Sequence, residues 1–133
     1  MDDELQRLRD LSARLLRLHA LLLERERRAY EAAHGGITSR ELLQLLLGDE
    51  GFAWLRSLSR MIASIDEALD ADAALTPLDA LAFFREAHRL LRSGGTDVFA
   101  TKYAEALQDS PDIVMAHADV VKTFPRPQED RRE

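Results

Sequence analysis

The N-terminal part of the chain contains neither proline nor glycine and repeats its apolar residues every three or four positions. This spacing predicts one long amphipathic helix from about Asp3 to His34. Gly35-Gly36 marks its end, because glycine commonly terminates helices. Other segments of the chain must then cover the apolar stripe of this helix.

The rest of the chain carries several helix signals and no strand pattern. The start signals are Thr38 with Glu41, Thr76 with Pro77, Thr96, and Ser110 with Pro111. The glycines at 48 and 51 predict a short helix, a turn and a longer helix to about Leu69. We therefore expect an all-α fold, an antiparallel four- to five-helix bundle over residues 1–124. Residues 125–133 lack an apolar anchor and are predicted to be a disordered tail.

Composition excludes several classes of function. The chain has no cysteine, which rules out disulfides, thiolate metal sites and cysteine nucleophiles. Its net charge is −6, and seven arginines in residues 2–34 are matched by seven acidic residues, so we expect no nucleic-acid partner. The acidic N-terminus and the lack of a long apolar run predict a cytoplasmic protein that does not cross a membrane. The Gly-x-Ser-x-Gly and phosphate-loop patterns are absent.

Three ionisable residues fall where helical projection places apolar ones. His19 and Glu26 lie within the stripe of the first helix, and His117 lies among the apolar positions of the last. An ionisable group that is buried without a partner lowers the folding stability by several kcal/mol, so each of these residues needs a partner. His19 and Glu26 are about 10 Å apart along the helix and cannot touch. Tyr30, four residues after Glu26, could reach its carboxylate.

These residues have two interpretations, and the sequence leaves both open. His19, Glu26, Tyr30 and His117 could form a polar network that fixes helix register, which we favour. Alternatively they could bind a ligand or a metal ion, with Asp66 and His88 on the flanks completing the cluster. The Glu-x-x-His signature of di-iron bundles is absent. We expect no cofactor.

A second group of residues suggests a partner surface. The solvent faces of two predicted helices carry five arginines, which could hold an acidic partner or an anion or could simply be solvated: Arg56, Arg60, Arg85, Arg89 and Arg92. Trp54, just after the glycine turn, is either a core anchor or part of a partner-binding surface.

The segments 18–31, 42–46, 52–59 and 65–67 resemble a group of small uncharacterised bacterial helical proteins. That resemblance implies a bacterial helical domain and no particular chemistry. From the residues we predict a non-enzymatic interaction or regulatory module that binds a partner protein or itself. The alternative is a ligand- or metal-binding bundle, a sensor or minor enzyme, with the His/Glu/Tyr set in its core.

Overall fold

The computed structural model describes residues 2–71, 75–92 and 94–125, and all regular structure in these ranges is helical. The elements are α1 Asp2–His34, α2 Ser39–Gly48, a 3₁₀ segment Glu50–Leu55, α3 Arg56–Asp70, α4 Pro77–Leu91, α5 Val98–Asp109 and α6 Pro111–Val121. The all-α prediction is confirmed, with six α-helices in the described ranges where four or five were expected. None of these helices is both long enough and apolar enough to span a membrane.

Helices α2, α4, α5 and α6 begin where a side chain accepts a hydrogen bond from a free backbone N–H group. The Thr38 hydroxyl accepts from the Glu41 N–H at 3.1 Å, and the Glu41 carboxylate accepts from the Thr38 N–H at 2.8 Å. Thr76 forms the same reciprocal cap at α4. The prediction for α5 was wrong by one residue. Asp97, not Thr96, caps it, accepting from the backbone N–H of Ala100 at 2.8 Å.

Two glycines beyond helix ends have backbone conformations that other residues avoid. Gly35 directly follows α1 with φ of +89°, and Gly94, three residues beyond the end of α4, has the same value. At the first turn the Glu31 carboxylate accepts from the Ile37 N–H at 2.9 Å and from the Arg27 guanidinium at 3.3 Å. These two bonds fold the chain back from the end of α1 and hold the pKa of Glu31 below its ordinary value.

The core is organised around α1, which packs against α3, α4, α6 and the 3₁₀ segment. Five of its leucines have no exposed surface: Leu8, Leu11, Leu15, Leu18 and Leu22. Beyond Leu22 no side chain of α1 is buried, and Ala33 is exposed. Side chains of α1 are therefore fully buried only in its first two-thirds, and beyond that Leu23 and Tyr30 are partly buried against the core.

The C-terminal end of the described chain packs against α4 and lines one groove with the first turns of α1. α6 ends at Val121, and Phe124 packs edge-on against the buried ring of Phe84, with ring centroids 6.3 Å apart. Of the predicted disordered tail, only Pro125 is within the described residues. The domain limits 1–124 stay a prediction.

Candidate functional site

His19 binds a serine on the facing helix rather than another predicted site residue. Its Nε2 lies 2.7 Å from the Ser59 Oγ. The Ser59 hydroxyl has one proton and donates it to the Leu55 carbonyl at 3.2 Å, so the ring of His19 is the donor in this pair. The residue is only 9% exposed, and burial lowers the pKa of its imidazole.

A second hydrogen bond joins the same two helices. The buried Ser12 hydroxyl donates to the Asp66 carboxylate at 2.5 Å. Ser12 precedes His19 by seven residues on α1, and Asp66 follows Ser59 by seven residues on α3. The two helices therefore run in opposite directions. The two polar pairs are two helical turns apart, and both can form only in one alignment of α1 against α3.

His117 has a different partner, on α5. The Tyr103 hydroxyl lies 2.6 Å from the Nδ1 of His117. Burial raises the pKa of Tyr103 well above its ordinary value and lowers the pKa of His117, so both groups are neutral near pH 7. The phenol then donates to the imidazole. This bond ties α6 to α5.

Glu26 and Tyr30 do not bond to each other. The nearest cation to Glu26 is its neighbour Arg25, at 3.6 Å, and the Glu26 side chain is 13% exposed. The Tyr30 ring stacks on His34, with centroids 4.1 Å apart, and meets the edge of Phe52. The local hydrogen bond that their spacing allows is not formed, because the Tyr30 ring stacks on His34 toward the end of α1.

The four predicted site residues therefore have four separate sets of contacts. His19 is bonded to α3, His117 to α5 and Glu26 to its own helix, whereas Tyr30 packs on the last residue of α1 and on the 3₁₀ segment. Within the described ranges, no three His, Asp or Glu side chains come together in a way that could hold a metal ion. The geometry provides hydrogen-bonded pairs between helices rather than a shared cavity.

Two residues of the predicted partner surface, Arg56 and Trp54, have contacts within the fold. The Arg56 guanidinium donates to the Leu46 carbonyl at 2.9 Å and to the Asp49 carbonyl at 3.0 Å, which caps the C-terminal end of α2. Trp54 is only 5% exposed and its ring lies against Phe99, with centroids 5.4 Å apart. Its Nε1 is buried and has no hydrogen-bond partner among the described atoms.

Other arginines of that surface line an open groove of about 1220 Å³. The groove lies between the first turns of α1, one side of α4 and the residues that follow α6. Six basic side chains line it, against two acidic ones, Asp3 and Asp10: Arg7, Arg14, Arg85, Arg89, Arg92 and Lys122. We call this the cationic groove.

The cationic groove combines free positive charge with an aromatic floor. Arg85 and Arg92 are exposed and have no ion pair with any described residue. Arg89 is paired with Glu86, and Arg14 donates to the Asp119 carbonyl at 2.8 Å. The floor is formed by Phe84, Phe124 and the ring of His88, which lies 5.8 Å from that of Phe124.

Arg60 belongs to a neighbouring, smaller groove. This groove, of about 530 Å³, is also lined by Arg89 and Arg92, so one edge of α4 borders both depressions. Of the five arginines in the predicted patch, Arg85, Arg89 and Arg92 converge on the cationic groove, Arg60 borders its neighbour, and Arg56 serves the fold.

Sequence reasoning did not identify the partners Ser59, Ser12 and Tyr103. A signal was present for the first two, since Ser12 and His19 are spaced by seven residues, as are Ser59 and Asp66. Matching polar heptads on two helices indicate a shared interface. The sequence contains no such signal for Tyr103, because this residue falls on the apolar face of α5 and is expected there as a core residue.

Comparisons of the chain with protein-family models, with curated proteins and with solved structures gave no match. The resemblance to the bacterial helical group stays a prediction.

Proposed function

We propose that this chain is a non-enzymatic interaction module, an antiparallel helical bundle whose cationic groove binds an acidic segment of a partner protein. The observation that carries the proposal is the groove itself, with six basic residues against two acidic ones around an aromatic floor. The excess of positive charge is local, since the whole chain has a net charge of −6. Such a surface selects negatively charged partners by electrostatic complementarity.

The shape of the groove favours a peptide segment over a small anion. Its volume of about 1220 Å³ exceeds the range of roughly 300–1,000 Å³ usual for small-molecule pockets. Its basic residues come from α1, α4 and the end of α6, so several separated carboxylates could be met at once. The half-buried ring of Phe124 and the exposed ring of His88 offer an apolar side chain of the partner a place to pack.

The free arginines are suited to carboxylates. A guanidinium presents a planar fork of donors that binds a carboxylate through two hydrogen bonds. Because Arg85 and Arg92 have no ion pair within the described part of the chain, binding would not require breaking one. Arg89 would exchange its contact with Glu86 for the partner.

The test uses a fluorescein-labelled peptide that alternates glutamate with leucine and contains one tryptophan. We expect saturable binding that weakens with added salt, because exposed charge pairs are screened. Exchanging the peptide's glutamates for lysines should abolish binding. Amide chemical-shift changes on titration should be confined to residues bordering the cationic groove.

The groove variant is Arg85→Glu combined with Arg92→Glu. Its matched control is Arg9→Glu combined with Arg17→Glu, which changes the net charge equally at exposed positions outside the groove. We expect the groove variant to bind about tenfold or more weakly and the control to bind as the unmodified chain does. Equal losses in both variants, or no binding to the acidic peptide at all, would refute the proposal. Complete competition by inorganic pyrophosphate would indicate a small-anion site instead.

A further inference from the structure

α2 is a leucine-rich helix that the core covers on one side only. Five of its ten residues are leucine, and none of its residues is buried. The inner leucines Leu42, Leu45 and Leu46 pack against the core at the 3₁₀ segment. On the outer side Leu43 is 56% exposed and Leu47 is 68% exposed.

The outer side of α2 carries charge at both ends of its apolar pair. Arg40, Leu43 and Leu47 are spaced by three and four residues and lie on one face. Glu50 is exposed just beyond the C-terminal end of the helix, after the cap residue Asp49. Neither Arg40 nor Glu50 has an ion pair with a described residue. We call this surface, Arg40, Leu43, Leu47 and Glu50, the α2 face.

The α2 face is complementary to itself. When two copies of α2 oppose each other about a twofold axis between Leu43 and Leu47, Leu43 of each copy meets Leu47 of the other. The same symmetry brings Arg40 of each copy to the C-terminal end of the other, where Glu50 and the negative end of the helix dipole lie. Positions spaced three and four apart are those that pack between paired helices.

Other occupants fit this face less well. An anionic lipid surface requires several basic residues beside the apolar ones, whereas α2 has a single one, Arg40, next to Glu41. An acidic partner would find one cation here and six in the cationic groove. In the symmetric pairing the two leucines of each copy are covered, and Arg40 and Glu50 of each copy face an opposite charge.

We infer that a second copy of this chain docks on the α2 face, α2 against α2 in opposite directions. One short helix per copy gives an interface below the roughly 1,200 Å² of standard complexes, so the dimer is weak and depends on protein concentration. This inference does not rest on the proposed function. The cationic groove is formed by α1, α4 and the end of α6, and it stays open in such a dimer.

The test is sedimentation equilibrium from low-micromolar to millimolar protein. We expect the mass to rise from the 15.0 kDa of one chain toward twice that value. Leu43→Gln combined with Leu47→Gln should keep the chain monomeric throughout. The matched control, Leu16→Gln combined with Leu78→Gln, removes two other exposed leucines and should dimerise as the unmodified chain does.

Charge exchange tests the pairing geometry. Arg40→Glu alone places like charges together across the axis and should raise the dissociation constant about tenfold. Glu50→Arg alone should have the same effect, and the two combined should restore dimerisation. A chain that is monomeric at millimolar concentration, a dimer indifferent to the leucine exchange, or a combined charge variant that stays as weak as either single one would overturn the inference.

Discussion

Removing Ser12 and removing Asp66 should lower the free energy of unfolding by different amounts, although each change breaks the same hydrogen bond. Asp66 is exposed, so in Ser12→Ala water solvates the carboxylate and the loss is the net value of one hydrogen bond, about 0.5–1.5 kcal/mol. Ser12 is buried, so Asp66→Ala leaves its hydroxyl without an acceptor, which costs about 1–3 kcal/mol. We expect Asp66→Ala to be the more destabilising change.

The magnitude is best isolated in a double-mutant cycle. When Ser12 is already alanine, Asp66→Ala leaves no hydroxyl without an acceptor. It should then lower the free energy of unfolding only slightly further. The coupling between the two sites should therefore be close to the cost of Asp66→Ala in the unmodified chain, about 1–3 kcal/mol. Glu67→Ala is the control, because it removes one exposed acid from the same helix where no described residue is bonded to it.

The assay is urea unfolding followed by far-ultraviolet circular dichroism for the unmodified chain, both single variants, the double variant and the control. A domain of this size should lose roughly 3–5 °C of melting temperature per kcal/mol, which gives an independent reading. Additive single effects, or an Asp66→Ala cost no larger than that of Ser12→Ala, would refute the reasoning. The Ser12 hydroxyl would then be satisfied within its own helix, by the carbonyl four residues before it.

Three further predictions concern other parts of the fold, each measured by urea unfolding. Burial lowers the pKa values of His19 and His117 below 6.5, so the unfolded chain binds more protons in acid. The contribution of these histidines to the free energy of unfolding should be complete above pH 6.5. As the pH falls below 6.5, each histidine should reduce it by at most about 1.4 kcal/mol per pH unit, and His19→Leu should make this pH dependence less steep. Gly35→Ala should cost about 1–2 kcal/mol at a φ of +89°, whereas Gly48→Ala, helical and in open space, should gain about 0.5–1 kcal/mol. Trp54→Phe removes a buried N–H that has no described partner, so it should change stability by about 1 kcal/mol or less despite the smaller ring, against about 3–5 kcal/mol for Trp54→Ala.

Local rules account for most of the fold that could be predicted. Capping residues and glycines set helix ends through contacts within four residues, so the bounds of α1, α2 and α4 follow from the sequence. The error at α5 arose because Thr96 and Asp97 are both good caps. The pattern of repeats could not show that full burial along α1 ends at Leu22. Glu26 lies beyond that point but keeps only 13% of its side chain exposed, so its projected place near the apolar stripe was close to the structure.

Partners across the bundle depend on register, which helical periodicity alone does not specify. His19 requires a hydrogen-bonding partner. Ser59 is that partner only because the register of α3 against α1 places the two residues opposite each other. The cationic groove illustrates the same limit. Its basic residues come from the beginning, the middle and the end of the chain, and Arg56, similar in sequence context, caps α2 instead.

The central position of α1 has a consequence for how the protein is made. This helix is synthesised before the helices that cover it, and α6, which packs against it, is completed roughly a hundred residues after its leucine row. At about 5–20 residues per second, its leucine row lacks that cover for some 5–20 s. During this interval the nascent chain is a target for chaperones and a source of aggregation. Slower translation upstream of residue 111 should lengthen that exposure.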